Sequence, residues 1–567
     1  MEDKISIDNK EIYELTIIQK RQKALSILFV FLFAVLTGRL FWIQVVQYES
    51  NIKKSVSQKL RTFQTSIDRG QIYDRNLIPF TNRELKKTIC ISTTLIDKEN
   101  STEIIAKAAG LSVEEVQKRL SSTDDTIEIE TKNFTNEYLD MIEKGRVKGV
   151  FALEKKVRYN SQSLARHVIG YINKSDNKGI MGIEKSMNQL LDRGGSDSLV
   201  AVVDSYEAII PSLGFRKIET NDLNEKYAVK LTLDYHIQAI TEKVMKDNKI
   251  NGSAVVIDIS SGDILAMVST PDFDPNNVGS YIGNGGDQLI NKSITPYDFG
   301  SIFKTVVAAA AIENNLVDDT ETFLCEGKIE VNNSEIKCST YKSHENKPIT
   351  FKEAFALSCN TTFVKLGMRV GSDKILDMAR RLGFGEKQCS ELLEEKAGNI
   401  PTSKEDGIGN ISIGQGKIQV TPLQVTTMMA TIANNGIMNQ PSIIDELVRN
   451  DTGTTVKKMS SSEPQVILKP STAKKLQEML KEVTVTGTGK LANLDEFGGS
   501  SGKTSSAETG INSGEIVHGW FAGYAPSDKP KYAITVFVYN GQSGGKSAAP
   551  IFREIAYKIF TEYKPVK

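Results

Sequence analysis

Residues 23–47 read KALSILFVFLFAVLTGRLFWIQVVQ, and no other feature limits the fold as much. The run is apolar over roughly 20 residues, the length that crosses a bilayer core as a helix. Arg39 lies near its far end, where a long side chain can snorkel to the headgroups. Trp42 lies in the same zone, where interfacial aromatics are common. Lys20, Arg21 and Lys23 stand on the near side, so the positive-inside rule puts the short N-terminus in the cytoplasm. A cleavable signal peptide would be shorter and end at a small-residue cleavage site. Here the run continues into GRLFWIQVV. The expectation is a single uncleaved anchor over 24–46, a cytoplasmic tail over 1–23, and the bulk of the chain extracytoplasmic at the cell membrane.

The 567 residues exceed what one core holds, so two or three domains are expected. Lys plus Arg and Asp plus Glu each number 70, and no basic stripe is interleaved with aromatics, which excludes a nucleic-acid footprint. Five cysteines are too few for a disulfide scaffold.

After the anchor the chain is charged and mixed in pattern as far as residue 226, with helical periodicity over 101–120 (STEIIAKAAGLSVEEVQKRL). From 227 the character shifts. KLTLDYHIQAITEKVM reads as a strand end leading into a helix, and SAVVIDISSGDILAMVST as a hairpin around Ser-Gly-Asp. Near the C-terminus GWFAGYAP and KYAITVFVYN flank the turn SDKP, and APIFREIAYKIF has helical spacing. Strands at both ends with helices between predict an α+β domain whose antiparallel sheet pairs chain-distant strands.

YDFGSIFKTVVAAAAIE, residues 297–313, places Ser301 and Lys304 at i and i+3 ahead of an almost wholly apolar helix. Ser-x-x-Lys is a cheap match that also begins at Ser50, Ser175, Ser334, Ser339, Ser471, Ser500 and Ser543. Context separates Ser301 from these. Gly300 lets the backbone turn sharply, and a buried helix whose first turn carries both side chains puts them on one face. Lysine there is partly desolvated, which lowers its pKa and permits a neutral base. Ser358-Cys359-Asn360 follows, then Gly502-Lys503-Thr504-Ser505-Ser506 ahead of the last hairpin, placed to form a third, adjacent strand. This is the order S-x-x-K, S-x-N, K-T-x of penicillin-interacting serine enzymes. Two decoys are set aside. Ser175-Asp176-Asn177 precedes Ser301, and the G-x-S-x-G at 498–502 lacks the strand–turn–helix context that a nucleophile elbow needs.

Over nearly its whole length the chain resembles the class B penicillin-binding proteins of the FtsI/SpoVD kind. RGQIYDRN, RYNSQSLARHVIGYI and GIEKSMNQLL resemble the family's N-terminal segments. LTLDYHIQ, SSGDILAMVSTPDFDPN, SIGQGKIQVTPLQ and HGWFAGYAP resemble landmarks of its catalytic domain. The resemblance implies an elongated pedestal domain of the dimerisation type over 47–226. It implies a serine β-lactamase-like transpeptidase domain over 227–567, an antiparallel sheet flanked by helices. It further implies a peptidoglycan D,D-transpeptidase. Ser301 would be the nucleophile, Lys304 its base, Ser358 a proton relay and Asn360 a substrate clamp. Lys503 and Thr504 would hold the substrate carboxylate, and the N–H groups of Ser301 and Ser506 the oxyanion. The implied partners are stem peptides, β-lactams and a membrane glycan polymerase of the FtsW type. Ser505 departs from the family's Lys-Thr-Gly. Its side chain could point away, donate a hydrogen bond or narrow the site, which keeps a catalytically weak β-lactam-binding scaffold as the alternative.

Between the first two motifs, residues 323–348 hold Cys325, Cys338 and His344, and EGKIEV and SEIK read as short strands around Asn-Asn. Three readings stay open: a Cys325–Cys338 disulfide, a structural zinc site with a fourth ligand among Asp298, Asp318, Asp319 and Glu321, and free thiols with a surface histidine. Catalysis by a serine needs no cofactor. Cys359 reads as a small buried filler, and Tyr524 as core. For His518, a polar strand end and a contact at the cleft rim stay equally open.

Overall fold

The computed structural model describes residues 9–47, 60–67, 69–93, 96–122, 126–131, 136–144, 146–173, 176–192, 196–202, 215–219, 227–283, 287–318, 320–331, 334–459, 462–509 and 516–564. Asp319, Ser175 and the Asn-Asn turn at 332–333 lie outside the described residues. The chain forms two compact units that interleave along the sequence.

The first unit comprises Met1–Ser66, Lys87–Glu154 and Ser196–Thr220. Its helix Asn9–Phe41 runs into a π-helical turn, Trp42–Val46. The stretch Lys20–Val46 has mean hydropathy 2.2 and none of it is buried in protein, so it is long and apolar enough to span a membrane. A separate core gathers Ile89, Ile91, Ile105, Val116, Ile129, Leu139 and Ile142. The helical period over 101–120 predicts one helix, but the structure forms two, Lys98–Ala109 and Val113–Leu120. Gly110 closes the first in the left-handed region at φ 70°, where a Cβ is disfavoured. Ser112 then opens the second through a capping box with Glu115.

The second unit comprises Ile67–Lys86, Lys155–Gly195 and Asn221–Lys567. Its centre is a five-stranded antiparallel sheet of β1 (Gly252–Asp258), β2 (Ile264–Thr270), β3 (Ser501–Glu508), β4 (Val517–Ala525) and β5 (Tyr532–Val538). The spatial order is β2-β1-β5-β4-β3, so the early hairpin joins the late strands through Ile534 opposite Val256. Side chains alternate between two cores, as the pleat requires. On β5, Ile534, Val536 and Val538 enter the core shared with Ile237 and Val244 of α1 (Tyr235–Asp247). Ala533 and Phe537 enter the other. That second core holds α2 (Lys304–Glu313), α3 (Asn360–Val370), α4 (Pro422–Ala433) and α5 (Pro470–Val485). In α2, Val306 through Ala311 are all fully buried. Four consecutive alanines combine high helix propensity with close approach on every side. The last helix, α6 (Ala549–Glu562), packs on the α1 side through Phe552 and Ile555.

Candidate active site

The three motifs converge where α2 begins. The chain enters through Gly300 at φ 64°, which a Cβ would strain and drive within 2.4 Å of Ser505 Oγ. Ser301 lies in the 3₁₀ turn Gly300–Phe303, and Lys304 starts α2. Three hydrogen bonds fix this entry. Gly300 N–H donates to Gly414 O at 2.8 Å, Ser505 Oγ to Phe299 O at 2.8 Å, and Trp520 Nε1 to Asp298 O at 3.1 Å.

Lys304 is fully buried and its Nζ meets four acceptors: Ser301 Oγ at 3.1 Å, Ser358 O at 2.8 Å, Ser358 Oγ at 3.1 Å and Asn360 Oδ1 at 2.6 Å. An ammonium has three protons, so four acceptors cannot all be served. Burial pulls the Lys304 ammonium down to about 8, against the opposing influence of Cys359 and Cys338. Ser358 has φ 58°, uncommon for a residue with a side chain. This conformation turns both its carbonyl and its hydroxyl onto Lys304.

Lys503 is also fully buried. Burial, and then the positive charge of Lys304, hold its ammonium well below the ordinary lysine range. Among the described residues no ion pair of either lysine with a carboxylate is found; Lys503 Nζ lies 5.7 Å from the centre of the Phe355 ring. Thr504 Oγ1 shares a 2.6 Å hydrogen bond with Thr488 Oγ1. The Ser505 hydroxyl is buried and spent on Phe299 O, so it braces the turn that carries Ser301. Ser506 is exposed, and its Oγ accepts from Gly544 N–H at 3.3 Å.

A second constellation adjoins the Ser358 motif. All five cysteines are free thiols, Cys325 and Cys338 included. The ligand atoms of Cys325, Cys338, His344 and Cys359 lie within 4.8 Å of one another, and all four residues are buried. The strands Lys328–Val331 and Ser334–Lys337 pair as the sequence predicts and bring Cys338 back toward Cys325. His344 is therefore no surface residue. None of the described candidate carboxylates joins the group: Asp298 Oδ1 accepts from Gln419, Asp318 caps Thr320, and Glu321 pairs with Arg369. The fourth member is Cys359, which is more than the small filler its motif suggests. The sequence does carry a signal for it, a third cysteine inside a motif that follows a Cys/His-bearing segment. His518 resolves as core: it is buried among Tyr297, Phe537 and Tyr539, and burial lowers its pKa to about 4.

An α+β domain with a buried lysine bridging two serines and an asparagine beside an edge strand defines the architecture of penicillin-interacting proteins. Residues 252–557 match the family described as penicillin binding protein transpeptidase domain, and residues 64–224 the penicillin-binding protein dimerisation domain. The chain is 28% identical to stage V sporulation protein D of Bacillus subtilis, over 95% of this chain and 85% of that protein. It is 29% identical to penicillin-binding protein PbpB of Mycolicibacterium smegmatis, covering 95% and 89%. With peptidoglycan D,D-transpeptidase FtsI of Escherichia coli the identity is 26%, covering 92% and 88%. Among solved structures, penicillin-binding protein 3 of Mycobacterium tuberculosis complexed with ampicillin superimposes with TM-score 0.63 at 24% identity, covering 90% and 97%. The chain belongs to the class B penicillin-binding proteins, with the family's dimerisation and transpeptidase domains in sequence.

Proposed function

We propose that this protein is a membrane-anchored peptidoglycan D,D-transpeptidase that works through an acyl-enzyme on Ser301. The observation that carries the reading is the convergence of Lys304 Nζ on Ser301, Ser358 and Asn360. Ser301 Oγ attacks the penultimate D-Ala carbonyl of a stem peptide while Lys304, as the neutral amine, takes its proton. The N–H groups of Ser301 and Ser506 receive the oxyanion. Ser358 relays the proton to the leaving D-Ala amine. Asn360 holds substrate amides, and Lys503 with Thr504 holds the terminal carboxylate. An amine from a second stem peptide then resolves the ester into a cross-link. A β-lactam enters as the donor and stops at the ester. Serine provides the nucleophile, so no cofactor takes part in the chemistry.

Lys20, Arg21 and Lys23 lie at the N-terminal end of the apolar stretch and support a cytoplasmic N-terminus with the catalytic unit outside. The dimerisation-type region suits docking onto a membrane glycan polymerase of the FtsW type. The inward Ser505 hydroxyl speaks against a cleft closed by its side chain, and so favours catalysis over the scaffold role. The deciding experiment is intact mass of the detergent-purified full chain after benzylpenicillin, beside Ser301→Ala. A stable adduct in the wild type and none in the variant is expected. A folded wild-type chain that takes up no penicillin sinks the reading.

A further inference from the structure

We propose that Cys325, Cys338, His344 and Cys359 bind one zinc ion, and that this ion holds the Ser358–Asn360 segment in place through Cys359. The donor set is three thiols and one imidazole, a combination that suits Zn²⁺ in a closed tetrahedral structural site. Zn–S bonds of about 2.3 Å put the corners of such a tetrahedron about 3.8 Å apart. Cys338 Sγ lies 3.9 Å from Cys359 Sγ and 3.9 Å from His344 Nε2.

Two further observations point to a ligand rather than to a cluster of small apolar side chains. His344 is 2% exposed, and its Nε2 is the ring nitrogen turned toward the thiols, 3.9 Å from Cys338 Sγ. A buried imidazole aimed at thiols is placed as a ligand is, with its ring nitrogen facing the sulfurs. The sulfurs are also dressed with hydroxyls. Thr362 Oγ1 donates to Cys359 Sγ at 3.3 Å, Thr361 Oγ1 lies 3.3 Å from the same sulfur, and Thr340 Oγ1 lies 3.5 Å from Cys338 Sγ. Such outer contacts orient thiolate ligands and spread their charge. A disulfide between any two of the cysteines would leave the third thiol and His344 unexplained. Metal binding uses all four, each thiol releasing its proton to solvent.

The link to the catalytic segment is covalent and short. Cys359 stands between Ser358, whose φ is 58°, and Asn360, the first residue of α3. Asn360 Nδ2 donates to Lys337 O at 2.8 Å, one residue before the ligand Cys338. The hairpin and the motif are thus joined twice, through the metal and through this amide. A Cys359–metal bond restrains a residue whose two neighbours present their oxygens to Lys304, so losing it frees a strained backbone to relax away. The ion touches no reacting atom. It is a positioning element.

The second half of this proposal rests on the acyl-transfer reading; the first half does not. Full-length chain is purified in detergent under reducing conditions and its zinc measured by elemental analysis. It is then stripped with a chelator, titrated with Co²⁺, and assayed for acylation by a fluorescent penicillin before stripping, after stripping and after Zn²⁺ is restored. One zinc per chain is expected, with the thiolate-to-cobalt charge-transfer and strong visible bands of a tetrahedral cobalt site. Cys325→Ser and His344→Ala should weaken metal retention at least tenfold. Stripping should slow acylation at least tenfold, with recovery on zinc addition. A folded, reduced chain with no zinc and no cobalt bands overturns the site, as does a mapped Cys325–Cys338 disulfide in the purified chain. Retained zinc whose removal leaves acylation unchanged overturns the coupling. Should the variants fail to fold, the cobalt titration of the wild type still decides. A chain that holds zinc but never reacts with penicillin refutes the transpeptidase reading and leaves the metal site standing.

Discussion

Glu184 and Lys304 are both fully buried ionisable side chains in the same compact unit, and their surroundings are opposite in kind. Glu184 is surrounded by cations. Arg69 Nε donates to its Oε2 at 2.5 Å, and Arg158 Nε and Tyr159 OH donate to its Oε1 at 2.7 Å each. Arg69 is itself completed by Asn177 O, Glu184 O and Asn188 Oδ1. Burial alone would raise the Glu184 pKa, but the charges of Arg158 and Arg69 outweigh it and hold the carboxyl below its ordinary value. Lys304 has neutral oxygens around it, and burial, not a like charge, lowers its pKa against the opposing influence of Cys359 and Cys338. Its ammonium is pulled down to about 8. Opposite charges brought together fasten three chain segments, 69, 158 and 184, into one cluster. A buried ammonium kept without a carboxylate counter-ion holds its proton loosely. The first arrangement supports a fold, and the second is ready for proton transfer.

The largest effect that could break this contrast is in Lys304→Ala. Acylation by penicillin should slow by about 10²- to 10⁴-fold, the usual contribution of a positioned base. The thermal unfolding midpoint should stay near that of the wild type. Near-normal acylation in the folded variant would remove Lys304 from proton transfer. Glu184→Ala should do the reverse. It leaves buried Arg69 and partly buried Arg158 without the carboxylate they share and should cost about 3–5 kcal/mol in stability, read from denaturant unfolding. Whatever remains folded should acylate normally. A stability loss below about 1 kcal/mol would mean that the cluster is dispensable.

The pH profile sharpens the same point. In the proposed reaction Lys304 acts as the neutral amine, and burial pulls its ammonium down to about 8. The acylation rate should therefore climb about tenfold per pH unit below that value and level off above it. A flat profile between about pH 6 and pH 9 would show that the lysine does not titrate in this range. The smallest effect is expected at Ser505. Ser505→Gly restores the family's glycine and removes the bond to Phe299 O. Losing one such bond, about 1 kcal/mol, should slow the acylation step about fivefold while pre-acylation binding of penicillin is retained. An unchanged acylation step would show that Gly414 and Trp520 hold the Ser301 turn by themselves.

Much of this contrast, and of the fold around it, is legible in the order of the residues. The three motifs keep their order, and the strand formed by the third one lies where the polar run before the last hairpin places it. The α+β sheet that joins β1 to β5 follows from strands at both ends of the domain. Two features do not follow. A helical period runs unbroken through 101–120, yet left-handed Gly110 divides it, because periodicity reports the buried face and is silent about φ. Arg69, Arg158 and Glu184 lie in segments far apart in sequence, and no local pattern marks three charges that meet only after folding.

Residue chemistry and spacing along the chain determined the helix long and apolar enough to span a membrane, the Ser301–Lys304 pair on one turn, and the polar and edge-strand motifs that accompany it. Each is a local property, set by hydropathy, helix geometry or pleat. Tertiary structure decided which groups share a volume. It put Cys359 with Cys325, Cys338 and His344 instead of leaving it a filler, and turned the Ser505 hydroxyl onto Phe299 O. It also buried Lys503 and Lys304 close enough for one to depress the other. Desolvation and charge coupling depend on distances through space between chain-distant side chains, and those distances exist only once the helices have packed against the sheet.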